Sequence, residues 1–110
     1  MKNHPPPSGY DTMTPEEYER FSLLVEEIGE VLQIIGKIQR HGYHASFEGI
    51  EYNNRGDLET ELGHLMFAIH LMAQRGDIST NNVERSMILK SHKVWKYLHY
   101  NRKYLRYKKE

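Results

Sequence analysis

Apolar residues recur at three- and four-residue intervals over three stretches of the chain, each bounded by helix start and stop signals. The first stretch, Phe21 to Ile38, is entered through Thr14, Pro15 and Glu17. These are an N-cap hydroxyl, a proline at the first helical position and the acid that completes a capping box, so a helix is predicted from there to about His41, with Gly42 as its left-handed stop. The second stretch carries Leu58, Leu62, Leu65, Ile69 and Met72 as a core stripe, widened by Met66, Phe67 and Leu71. It predicts a helix from Asn54 or Arg55 to Arg75, buried on most sides, with Gly76 beyond. The third uses Val83, Met87, Val94, Leu98 and Leu105 inward. Asn81, with Glu84 three residues later, is its best N-cap, and the helix is expected to run through much of the basic tail.

Two segments lack a helical period. Residues 1–13 contain Pro5, Pro6 and Pro7 and read as an extended arm that could reach a neighbouring subunit, leaving 14–110 as the domain. Tyr43 to Asn54 is a polar and aromatic loop of about a dozen residues, a length at which loops often bind ligands. The expected fold is all-α. It is a helical bundle of three main helices completed by oligomerisation, because a small domain leaves apolar helix surface uncovered.

The charged positions change this picture most inside the first helix. Glu26, Glu27 and Glu30 interrupt an otherwise apolar run, with Glu30 one turn from each of the other two. On the second helix Asp57, Glu61 and His64 follow at offsets of four and three, again on one face. Two such helices packed together aim four or five ligand side chains into one space, the way helix bundles build di-metal sites. A divalent cation is the expected guest. Gly29 and Gly63 stand beside the acids although an interior glycine costs a helix about 1 kcal/mol, which suggests close approach of a helix or a ligand. A solvated acidic face is the plain alternative for any single glutamate.

The order Glu-Glu-x-x-Glu, then Glu-Leu-Gly-x-Leu, resembles the MazG-like all-α nucleoside triphosphate pyrophosphohydrolases, over about residues 14 to 105. In that family a Glu-x-x-Glu on one helix and a Glu-x-x-Asp on the next hold magnesium against the triphosphate, and hydrolysis between the α and β phosphates gives monophosphate and pyrophosphate. The resemblance implies four-helix-type bundles assembled as dimers or tetramers. It also implies Glu27, Glu30, Glu61 and His64 as metal ligands, with Glu26 as a further ligand or the base that orients the water; Glu26, Glu27, Glu30 and Glu61 are thus the expected catalytic set. Histidine at 64 departs from the family's aspartate. Three consequences stay open: a ligand favouring manganese or another transition ion over magnesium, replacement by Asp57 one turn earlier, or a nucleotide-binding module without turnover. The Arg40-His41-Gly42 turn, followed by Asn53-Asn54-Arg55, is similar to a phage-type branch of the family.

Lys37, Arg40 and Arg55 are placed to touch phosphate or to cap helix ends, and Lys90 and Lys93 match the family's cationic phosphate contacts. Trp95 would stack on a base or serve as core or interface. Tyr97, Tyr100, Tyr104 and Tyr107 recur every three or four residues and resemble a packing stripe. His70 is expected in the core, and His92 and His99 at the surface.

Composition narrows the function classes. The chain has 110 residues, 15 Lys and Arg against 15 Asp and Glu, and no cysteine, which excludes disulfides and thiol chemistry. Most acids precede residue 62 while cations crowd the C-terminal end, an acidic metal cradle followed by a basic, phosphate- or partner-facing helix. No apolar run is long enough for a bilayer and no signal-type segment opens the chain, so a cytoplasmic protein, in a host cell if phage-encoded, is expected. A polynucleotide or protein adaptor using the basic, tyrosine-rich end would leave the carboxylates of the first helix without a reason. The expected partners are therefore a nucleoside triphosphate and a second copy of the chain, and neither nucleic acid nor membrane.

Overall fold

A computed structural model describes residues 8–9, 11–46 and 53–105. Among them every regular element is helical, as expected: α1 (Pro15–His41), α2 (Asn54–Gln74) and α3 (Thr80–Lys93), followed by two short 3-10 turns, Val94–Tyr97 and Arg102–Tyr104. Most of the N-terminal arm and part of the loop after α1 lie outside the described residues.

α1 begins where its capping box dictates. The Thr14 hydroxyl accepts from the Glu17 N–H at 3.2 Å, and the Glu17 carboxylate accepts from the Thr14 N–H at 2.8 Å, so two donors at the helix start find partners within one turn. At the far end the Gly42 N–H donates to the Ile38 carbonyl at 2.7 Å. Gly42 has φ 85° and ψ 173°, a combination open essentially to glycine alone. Thr14→Ala removes one half of the box and should lower unfolding stability by about 1 kcal/mol. A shift of the urea midpoint at unchanged slope would report it; an unmoved midpoint would mean that the first turn frays in the native state.

The chain then returns to α2 through bonds that also satisfy the new helix's start. Asn54 and Arg55 donate their N–H groups to the carbonyls of Ala45 (2.8 Å) and Tyr43 (2.9 Å), and Gly56 donates to the Asn53 side chain (2.9 Å). Three of the four N–H groups that an α-helix leaves open are thereby taken. Asn54 is 1% exposed, and its amide donates to the Gly42 carbonyl at 3.1 Å, tying the end of α1 to the start of α2. The helices touch again where Glu27 meets Glu61 and His64, further from the connection on both, so they run antiparallel.

Within the first compact unit, residues 1–71, Val31, Ile34 and Ala68 are the buried apolar residues. The expectation of a second helix buried on most sides is corrected: Leu58, Leu65 and Leu71 are half-buried, whereas Leu62, Met66, Phe67 and Ile69 are exposed. His70 is exposed rather than in the core. α1 likewise shows Tyr18, Phe21, Val25, Ile28, Leu32 and Ile35 at the surface, at alternating steps of three and four residues. That is the spacing of a coiled-coil seam, distinct from the side of α1 that carries Val31 and Ile34.

The second unit, residues 72–110, opens on the end of α2. Gly76 (φ 84°) donates to the Ala73 carbonyl and Asp77 to that of Met72, the paired bonds of a Schellman stop that needs glycine's positive φ. α3 starts two residues earlier than expected, with Ser79 as its N-cap in place of Asn81; the Ser79 hydroxyl accepts from the Asn82 N–H at 3.3 Å. It also ends sooner. Past Lys93 the expected helix gives way to the 3-10 turns, because Lys90, Lys93 and Lys96 would stack like charges three apart and Arg102 captures the carbonyls of Trp95 (2.7 Å) and Lys96 (3.4 Å). Of the side chains expected inward, Val94, Leu98 and Leu105 are half-buried, but Val83 and Met87 are exposed. They line an open groove of about 970 Å³ along α3, together with Asn82, Lys90 and Leu105.

Candidate metal centre

Helical periodicity puts Glu27 on the side of α1 that also carries Val31 and Ile34, and puts Glu61 and His64 one turn apart on α2. The antiparallel crossing brings the three together. His64 Nδ1 lies 3.6 Å from Glu27 Oε2 and 3.5 Å from Glu61 Oε2, and the three ligand atoms fall within 4.8 Å of one another. The carboxylates are largely withdrawn from water, with side chains 12% and 18% exposed against 56% for His64. Glu27 Oε2 and Glu61 Oε2 are buried and accept no hydrogen bond. Buried acceptors normally find a donor, so two of them beside one imidazole nitrogen fit the donor set of a cation.

The electrostatics point the same way. Burial first, then a hydrogen bond that the protonated form gives to Glu30 and the charge of Glu30, push the Glu61 carboxyl above the usual glutamate range; the charge of Glu27 adds to this and His64 opposes it. These surroundings favour the neutral form of Glu61.

The other expected residues are placed as follows. Glu30 reaches Glu61 but lies outside the tight three-atom group. Glu26 is exposed. Asp57 is half-buried in the first turn of α2, its N–H bonded to the Asn53 carbonyl at 3.0 Å. Lys37 is half-buried and Arg40 exposed on the last turns of α1. Arg55 is exposed, its guanidinium 5.0 Å from the centre of the Tyr43 ring. In the second unit Lys90 lines the groove along α3, Lys93 closes that helix, and Trp95 follows in the first 3-10 turn. One face of Trp95 carries the Arg102 guanidinium at 5.3 Å, so a base has at most the other. A methyl group built on Gly29 or Gly63 would meet nothing within 4 Å. The close approach expected at these glycines does not come from the described part of the chain itself.

Residues 16–99 match the family model of the MazG nucleotide pyrophosphohydrolase domain. The chain belongs to the MazG family. No curated protein and no solved structure matches it. The MazG match covers the whole of α1, α2 and α3 except Pro15, and therefore both acid-bearing helices.

Two features of this MazG domain were not foreseen as part of its site. Asn54 locks the α1–α2 connection on which the convergence of Glu27 with Glu61 depends, and its only signal in the sequence was the Asn53-Asn54 pair before a helix. Tyr43 supplies a ring beneath Arg55; an aromatic just past a helix stop gave no sign of that pairing.

Proposed function

We propose that this MazG domain hydrolyses nucleoside triphosphates, ribo- or deoxyribo-, to the monophosphate and pyrophosphate with the help of a divalent cation, acting on a nucleotide pool in the cytoplasm. The observation that carries the reading is the pair of buried, unpartnered carboxylate oxygens converging on His64 Nδ1 within a family-matched domain.

The donor set suits a cation. Glu27 and Glu61 offer hard oxygens and His64 a nitrogen, with Glu30 adjoining and Asp57 one turn away; oxygen donors serve magnesium, and an imidazole shifts preference toward manganese or another transition ion. When bound, the cation supplies Lewis-acid polarisation of phosphate oxygens and lowers the pKa of a bound water. The chain's own residues do the rest. Glu27, Glu30 and Glu61 set the position of the charge that a triphosphate must meet, and Glu30 or Glu26 accepts the proton of the attacking water. Lys37, Arg40 and Arg55 neutralise and orient phosphates. Two or four copies of the chain form the working assembly, through the exposed seam on α1.

The test is pyrophosphate release from a panel of canonical and modified triphosphates, with Mg²⁺ and Mn²⁺ compared, for the wild type, Glu30→Gln and His64→Asp. Turnover that vanishes in Glu30→Gln supports the enzyme. A silent wild type that gains turnover in His64→Asp would instead favour a nucleotide-binding or regulatory module, the reading that the histidine at the aspartate position supports. Silence in both would overturn the hydrolase.

A further inference from the structure

Past Lys93 the chain carries Lys96, Arg102, Lys103, Arg106, Lys108 and Lys109, and its one acid is Glu110. The family match stops at residue 99, and among the described residues the acid group consists of Glu27, Glu61 and His64, none of them in this end. A packing stripe would bury its tyrosines. Here Tyr97, Tyr100 and Tyr104 are 72%, 88% and 73% exposed, so the packing role expected for them is corrected within the chain. Lys96 Nζ lies 5.7 Å from the centre of the Tyr97 ring and Lys103 Nζ 5.2 Å from that of Tyr104, so two of the rings come with a cation beside them. The segment is not loose. Arg102 donates to the carbonyls of Trp95 and Lys96 while its guanidinium covers the Trp95 ring, which ties together the turn that carries Tyr97 and Tyr104.

We infer that Lys96, Tyr97, Tyr100, Lys103 and Tyr104 form a binding site for single-stranded nucleic acid. Exposed ring faces interleaved with cations match unpaired bases interleaved with phosphates. A duplex keeps its bases stacked on one another and offers the rings nothing. A free nucleotide has one base for three rings. A lipid surface would call for large aliphatic anchors, yet Leu98 and Leu105 are half-buried. The role is separate from hydrolysis and stands or falls without it. It also departs from the earlier expectation about nucleic acid, which rested on the carboxylates of α1 having no part in such a role.

The experiment is fluorescence anisotropy of a labelled oligothymidylate titrated with the full-length chain at low salt and with a chelator present. Wild type should bind, with affinity falling steeply as salt rises. Tyr100→Ala with Tyr104→Ala should weaken binding at least tenfold, on the order of the stacking lost at two bases, whereas phenylalanine at both positions should restore it. Lys96→Gln with Lys103→Gln should flatten the salt dependence. Circular dichroism confirms that each variant is folded. No binding by the wild type, an alanine variant that binds as tightly, equal binding to blunt duplex or to anionic vesicles, or displacement by an equal concentration of thymidine triphosphate would each overturn the inference.

Discussion

Glu61→Gln is expected to abolish divalent-dependent pyrophosphate release and, at the same time, to make the metal-free chain more stable. The two effects have opposite signs because one carboxylate is asked to do two things. In the proposed reaction Glu61 would hold part of the cation set, and loss of several kcal/mol of charge stabilisation is a loss of roughly a thousandfold or more in rate. In the metal-free chain the same carboxylate is buried beside Glu27 and Glu30, and its pKa is raised from the ordinary 4.5. The sign of the linkage follows from that direction. Between pH 4.5 and the higher folded value, the folded state holds more protons than the unfolded state, so stability falls as pH rises through this window and the full penalty persists above it. Glutamine removes the penalty. Thermal melts in chelator should therefore show the wild type losing stability with rising pH while Glu61→Gln stays flatter and melts higher at neutral pH. Added Mn²⁺ should lift the wild type alone, by mass action on the folded state. A variant that melts lower than wild type in chelator would mean that Glu61 serves structure rather than a cation.

The second large effect is expected at the seam on α1. Ile28 sits in the middle of the stripe from Tyr18 to Ile35 and is 42% exposed in the single chain. Apolar surface contributes about 25 cal/mol per Å² when it leaves water, and a stripe at heptad spacing is shaped to be covered by another helix. Ile28→Asp puts a charge where that helix would lie. The mass measured by light scattering should fall from that of a dimer or tetramer to that of one chain, or the association constant should drop by about a hundredfold or more, as for an unpaired charge in a packed interface. A wild type that is monomeric at micromolar concentration would sink the idea. So would a variant that still associates as tightly. Ser22, Gly29 and Gly36 recur at every seventh position beside this seam, and the open space at Gly29 leaves room for a close neighbour.

Legibility in the sequence followed the range of each interaction. The ends of α1 were readable because a capping box and a terminal glycine act within one turn. The start of α3 was misplaced because Ser79 and Asn81 are both good caps two residues apart, and only the backbone turn after Gly76 decides between them. The extent of burial on α2 was overread for a different reason. An apolar residue left at the surface looks, in sequence, the same as one in the core, so Met66 and Phe67 could not be told from Ala68 and Met72. The acid centre was partly readable: offsets of three and four place Glu61 with His64, and Glu27 with Glu30, on common faces. Which of the α1 acids meets which residue of α2 depends on how the helices cross, set by Asn54, Gly42 and the two carbonyls that receive the start of α2. Periodicity carries no information about that. The basic tail was misread as helix because its apolar spacing persists past Lys93 while its charges and Arg102 end the helix.

The bonds that join Asn54 to Gly42 and Ala45 also set an order in time. They link residues close in sequence, and such contacts close fast in folding. The hairpin of α1 and α2 can thus bring Glu27, Glu61 and His64 together while the chain is still alone, before any encounter with a second copy. If copies assemble as proposed, assembly would then act on a centre already built, and dilution that separates them would leave that centre standing in each.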